Sequence, residues 1–312
     1  MAGANSIPGH GVFPPLQHRT RQGSGTQVSS GDTVLIDKAQ TERRRALIVP
    51  REHGAWGLLL VPLVTGAGVG LRESHHVFPA LLLLVAALAL FWLRTPAESL
   101  LGTSPMRAQT RDERQVVILV IAALGAVAGL ALGALLWAGR NRALWVIGAT
   151  AGAAFVAQAL LKRLGRHTRM LSEIVGTIGL TASAPAAYYV VTGKLGASAW
   201  MLWLANLAFA GNQIHYVQLR IHTARVEGVR AKFARGWKFA LGQVAMAVAL
   251  AAACLARWMP WIALIAFVPL MLRGWNYFVQ KPRPLVVRRL GWNELAQAVA
   301  FCVLFIAAFA IA

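Results

Sequence analysis

The sequence predicts an all-α, polytopic membrane protein, and three observations carry that prediction. Hydrophobic residues make up 57% of the 312-residue chain and charged residues only 13%, with a mean hydropathy of +0.56, outside the range of an ordinary soluble domain. The apolar residues gather into runs close to the roughly 20 residues that a helix needs to cross about 30 Å of hydrocarbon. The cations gather between those runs, in alternate connections.

Residues 1–45 are rich in Gly, Ser, Thr, Gln and Pro and poor in apolar side chains. Such a stretch cannot bury enough surface to offset the entropy of ordering, so it reads as a disordered tail. It has no continuous apolar segment followed by a small-residue cleavage site, so it does not read as a secretory signal. Residues 46–312 then form the membrane domain. Nine runs qualify as spans, at about 53–71, 77–93, 115–138, 143–161, 170–192, 198–217, 237–256, 258–278 and 291–311.

Charge tests the count. The tail and the connections after the even-numbered runs hold 26 of the 31 Lys and Arg residues, and the other connections hold 5. Because cytoplasmic loops carry the excess of Lys and Arg, nine spans with a cytoplasmic N-terminus and an external C-terminus follow. The formal charge of +20 is explained by topology, so no nucleic-acid partner is implied. Heavy use of Ala, Gly and Arg fits a bacterial chain, placed here in the cytoplasmic (inner) membrane as a multi-pass protein.

Within the spans, Gly125, Gly129, Gly133, Gly148 and Gly152 have the small-residue spacing that lets helix backbones approach. Pro185 and Pro269 are expected to kink their helices, since each removes a backbone donor and crowds the preceding turn. Cys254 and Cys302 both lie in apolar runs, far apart in sequence. They signal neither a disulfide framework nor a metal site.

Polar side chains inside the spans mark candidate sites, because a lipid environment makes them costly to hold. The segment REHGAWGLLLVP, residues 51–62, sets Glu52 and His53 at the boundary where the first span begins. We read these two as candidate catalytic or proton-shuttling residues. Arg94, Glu173, Asn212, Gln213, His215, Arg220, Arg273, Asn276 and Glu294 all fall toward the same membrane face and are the candidate ligand-binding set. Arg273, Asn276, Tyr277 and Gln280 follow at i, i+3, i+4 and i+7, and Asn206, Gln213 and Arg220 at seven-residue steps. Both patterns are helical stripes. Stripes at one depth on several helices imply a polar cavity near the cytoplasmic leaflet. Taken singly, Lys162, Arg220 and Arg273 read as snorkelling anchors rather than ligands, and Asn206, Asn276 and Gln297 as interhelical hydrogen-bonding groups. The histidines lack metal-site spacing within one segment, so no metal site is assigned.

Pro50, His53, Gly54 and Trp56 form the Pro-x-x-His-Gly-x-Trp pattern at the first helix by which this chain resembles the YwiC-like family of bacterial membrane proteins. That resemblance implies a family without implying an activity. The nine-helix plan is also similar to the UbiA superfamily of intramembrane prenyltransferases. Those hold Mg²⁺ and a prenyl diphosphate through two Asp-rich motifs after helices two and six. Here the corresponding stretches read LRTPAESLLG and GNQIHYVQLRIH. Glu98 is their lone carboxylate, too few oxygen ligands for a divalent cation, so no cofactor is assigned and Mg²⁺ is left without its usual ligands. The expected function is binding or processing of an amphiphilic, isoprenoid- or lipid-like ligand, its head held by Arg94, His215 and Arg220. The alternatives are a small-solute permease and a subunit of a membrane complex, with the lipid bilayer a partner in every case.

Overall fold

The computed structural model describes residues 30–50, 53–104, 106–140, 142–281 and 286–312. All its regular elements among the described residues are helical. They are α1 (Ser30–Ile48), α2 (His53–Glu73), α3 (Val77–Leu100), α4 (Arg111–Trp137), α5 (Arg142–Arg163), α6 (Arg169–Thr181), α7 (Ser183–Thr192), α8 (Ala197–Thr223), α9 (Val229–Leu255), α10 (Val268–Val279) and α11 (Val287–Ile311). Two 3₁₀ segments, Arg166–Thr168 and Trp261–Phe267, precede α6 and α10. Each of the nine apolar runs is therefore helical.

Seven stretches among the described residues are long and apolar enough to cross a membrane: Val77–Leu100, Arg111–Trp137, Ala143–Arg163, Met170–Thr192, Val229–Leu255, Trp261–Val279 and Arg288–Ile311. The chain is a multi-pass membrane protein. α2 and α8 are not among the seven. α2 ends in Arg72 and Glu73, and α8 carries Asn206, Asn212 and Gln213. Large apolar side chains point outward along the spans, among them Leu119, Leu130, Val248 and Val303. Exposed Trp137, Trp200, Trp258 and Trp292 stand at or near helix ends, and Trp261 opens the 3₁₀ segment before α10. That is the placement of interfacial aromatic belts.

The chain divides into two units, Met1–Glu42 and Arg43–Ala312. In the first, residues 30–42 are helical, within the stretch whose composition predicts no order. In the second, the closing turns of α1 are fixed by side chains. Leu47 is buried with Ala108 and Val117, the Trp92 indole donates to the Ile48 carbonyl at 3.0 Å, and Arg43 bridges to Glu113 at 2.5 Å. The Glu113 carboxylate, by its hydrogen bond first and its charge second, raises the Arg43 guanidinium above its ordinary pKa. Glu113 also closes a capping box with Thr110 at the start of α4.

α2 is the centre of the bundle. It packs on α7 and α11 and touches α3, α6 and α8. Gly66 and Gly70 of α2 face Ala184, Tyr188 and Val191 of α7, a small-xxx-small crossing that brings the backbones together. The glycines singled out from spacing do not have that role: a Cβ at Gly129, Gly133, Gly148 or Gly152 would meet nothing within 4 Å, and one at Gly125 would meet only Leu93. Spacing alone cannot say which face of a helix meets a neighbour, and α4 and α5 turn those faces outward.

The proline expectations come out as breaks. The fifth run divides at Ala182 into α6 and α7, so Pro185 sits in the first turn of α7, where a missing donor costs little. The eighth run begins as a 3₁₀ segment and becomes α-helical with Pro269 in the opening turn of α10.

One buried polar pair ties α2 to α8. Asn206 and Thr65 are both 0% exposed; the Asn206 amide donates to Thr65 Oγ1 at 2.9 Å and to the Leu202 carbonyl at 2.8 Å. Replacing Thr65 by Val keeps the shape and removes an acceptor, so Thr65→Val is expected to lose about 1–2 kcal/mol. Thermal unfolding in detergent measures it; an unchanged midpoint would mean Asn206 finds another partner.

Candidate functional site

Among the described residues, a concentration of charge forms where α8, α9, α10 and α11 meet. α9 explains part of it. Its buried positions run Lys232, Gly236, Phe239, Gln243, Met246, Leu250 and Cys254, a regular helical face that carries a lysine at its N-terminal end. Lys232 is only 1% exposed, and its Nζ donates to the Gln280 carbonyl at 2.5 Å. From α8 comes Arg220, from α10 Arg273 and Tyr277, and from α11 Glu294.

Two tyrosines organise these cations. Tyr216 and Tyr277 meet edge to face with centroids 6.0 Å apart. The Arg273 guanidinium lies 4.0 Å from the Tyr216 ring centre; Arg220 and Lys232 lie 5.0 and 4.9 Å from that of Tyr277. Such contacts are worth about 0.5–2 kcal/mol each. Thr223 donates its one proton to the Leu219 carbonyl at 2.6 Å, so in the 2.8 Å contact between them Tyr277 is the donor. That fixes the Tyr277 ring.

Among the described residues, one carboxylate answers the three cations. Arg273 Nη1 donates to Glu294 Oε1 at 2.6 Å, and Gln213 Nε2 donates to the Glu294 backbone carbonyl at 3.3 Å. Arg220 Nε, Arg273 Nε and Nη2, and Glu294 Oε2 are buried with no hydrogen-bond partner among the described residues. Burying a charge without a partner costs several kcal/mol. Three cations against one carboxylate, with guanidinium donors unsatisfied, is the chemistry of an anion site: guanidinium forks match phosphate and carboxylate geometry.

The other candidate residues fall elsewhere or remain outside the description. Glu52 lies outside the described residues, and His53 is described only as the first backbone position of α2. Arg94 donates to Glu98 at 3.0 Å, and Lys162 donates to the same carboxylate at 3.1 Å. Arg94, expected with His215 and Arg220 at the ligand head, pairs with Glu98 within α3, while Arg220 stands with Lys232 at the Tyr277 ring. Glu173 accepts from Gln218 Nε2 at 3.1 Å, between α6 and α8. His215 is half-buried on α8 beside Gly242 of α9. Asn212 is buried with Oδ1 unpartnered. Asn276 is exposed, whereas its stripe neighbours Arg273 and Tyr277 join the cluster.

Lys232 is a residue of the cluster that sequence reasoning passed over. Lys232 reads as a basic-loop residue when the seventh run is started at 237; α9 in fact starts at Val229. The signal was available in the spacing of Lys232, Phe239, Gln243 and Met246, which share one helical face.

Residues 49–188 match the family model described as YwiC-like protein. The matched segment contains Pro50, His53, Gly54 and Trp56 and runs from α2 into α7; the cationic cluster lies beyond it, on α8–α11. No curated protein and no solved structure matches the chain.

Proposed function

We propose that this YwiC-like membrane protein binds an amphiphilic ligand through an anionic head seated among Arg220, Lys232 and Arg273. The observation that carries the reading is the surplus of buried cationic donors over the single carboxylate Glu294. A snorkelling anchor keeps its charge in water, whereas Lys232 is almost fully enclosed. The distribution of 26 cations against 5 supports nine spans with the cluster at the cytoplasmic face of a bacterial inner membrane. The ligand would therefore come from the inner leaflet, on a bundle of UbiA-like plan. A donor set of three cations recognises the anion directly, without a bridging Mg²⁺.

The test is thermal unfolding of the purified protein in detergent with farnesyl diphosphate, with and without Mg²⁺. Stabilisation without metal is expected, about 2.7 kcal/mol at one hundred times the dissociation constant. Arg220→Gln and Arg273→Gln are each expected to weaken it by about tenfold or more, the loss of a charge-assisted hydrogen bond. Stabilisation that requires Mg²⁺, or that survives both substitutions, would overturn the reading.

The breaks at Ala182 and before α10 favour a second reading, a small-solute permease, since transporters bind substrate at discontinuous helices. A cysteine at Thr181, buried now, would then be labelled from outside the cell; under the ligand-binding reading it stays protected.

A further inference from the structure

An apolar groove of about 560 Å³ runs between α8 and α9, its walls including Ala205, Ala208, Met246, Ala249, Leu250 and Ala253. Its volume is that of small-molecule sites. Lys232 of the cationic cluster and Met246 and Leu250 of the groove lie on one face of α9, with Phe239 and Gln243 buried between them. Gln243 is fully buried with both amide atoms unpartnered, and Asn212 Oδ1 on α8 is unpartnered as well. The residues along the seam of α8 and α9 thus change from cationic through polar to apolar, with the Gln243 amide turned toward Gly274 of α10.

We infer that the seam seats one long-chain phosphoester, its phosphate at Arg220 and Arg273 and its hydrocarbon chain in the α8–α9 groove. This rests on the anion-site reading above and adds the chain and its path. Length supports it. Tyr216, which carries Arg273, meets Phe239 of α9 with ring centres 6.1 Å apart, and this fixes the level of the head. At 1.5 Å per residue, the groove opens about 12 Å further along α8, at Ala208, and about 10 Å along α9, at Met246. It closes about 22 Å along α8, at Met201, and about 25 Å along α9, at Ala256. A short alkyl chain ends below the groove. A chain of membrane-lipid length runs through it. Charge complementarity makes the occupant an anionic amphiphile, since a neutral lipid chain would leave the guanidinium donors without a partner.

The experiment compares butyl phosphate with hexadecyl phosphate on the full-length protein in detergent, for the wild type, Ala249→Trp and the milder Ala249→Leu. Ala249 is exposed in the groove wall, so the larger side chain fills the groove without displacing core atoms. Partition of hexadecyl phosphate into micelles is common to all three proteins and cancels between them, and for the comparison with butyl phosphate each affinity is referred to the free ligand concentration. The wild type is expected to bind hexadecyl phosphate at least tenfold more tightly than butyl phosphate. Ala249→Trp should reduce that advantage to about twofold and leave the butyl phosphate affinity unchanged, which also reports that the variant is folded. Ala249→Leu should fall between. An advantage that persists in Ala249→Trp, or a wild type that does not distinguish the two chains, overturns the groove assignment while the head site stands. If neither phosphate binds the wild type, the head site itself fails, and the groove assignment with it.

Discussion

Gly66→Ala is expected to destabilise the bundle more than any other single methyl addition described here. A Cβ built at Gly66 falls onto the backbone of Ala184, against its carbonyl oxygen, carbonyl carbon and Cα. Backbone cannot rotate away as a side chain can, so α2 and α7 must separate. Overpacking a well-filled interior costs about 1–3 kcal/mol and sometimes more. Here the separation also loosens Gly70 against Val191 and Tyr188 and strains the bond from Ser183 Oγ to the Leu59 carbonyl, 3.2 Å long. A loss of at least ~3 kcal/mol follows. Gly129→Ala is the control: its Cβ meets nothing within 4 Å, and Ala exceeds Gly in helix propensity by about 1 kcal/mol. Thermal unfolding of the two variants beside the wild type checks both signs. If Gly66→Ala melts with the wild type, α2 and α7 do not cross this closely.

These two glycines also show where sequence reasoning stops. Run length locates the helical segments, because a helix that crosses a membrane must satisfy its backbone internally over a fixed thickness, and among the described residues seven of the nine runs are long and apolar enough to cross. Which face of each helix turns inward is decided by neighbours in space. The α4 and α5 glycines had the right spacing and the wrong orientation, while Gly66 and Gly70, equally spaced in α2, carry the crossing. The candidate site was legible in the same partial way. Arg220, Arg273 and Glu294 were found from depth and stripe, and they do converge. Topological analogy places Arg94 in the same head clamp; its pairing with Glu98, four residues on in α3, is a local contact that the analogy does not foresee. Lys232 was hidden by its neighbours, since Arg230 and Arg235 make the segment look like a solvated loop. Tyr216 and Tyr277 could not be paired in advance because their contact joins α8 to α10, 61 residues apart in sequence.

Glu294→Ala is expected to produce the second large loss, and the reason distinguishes a binding site from a structural ion pair. Glu294 and Arg273 are largely buried, with side chains 16% and 13% exposed, and removing one partner of such a pair costs about 3–5 kcal/mol because the other charge is left uncompensated. Here the remainder is worse than one stranded cation: Arg220, Lys232 and Arg273 would share the two tyrosine faces with no carboxylate among them. An added oxyanion should therefore relieve the variant more than the wild type. In Glu294→Ala, millimolar inorganic phosphate is expected to restore a large part of the lost melting temperature, with a small effect on the wild type. The double variant Arg273→Met, Glu294→Leu removes the pair together, so it should be more stable than Glu294→Ala and respond less to phosphate. A Glu294→Ala protein that melts as the wild type does would show that water already screens the cluster. One that is destabilised but indifferent to phosphate would show that the cations brace the α8–α11 junction and bind no anion, and the proposed head site would be lost with that result.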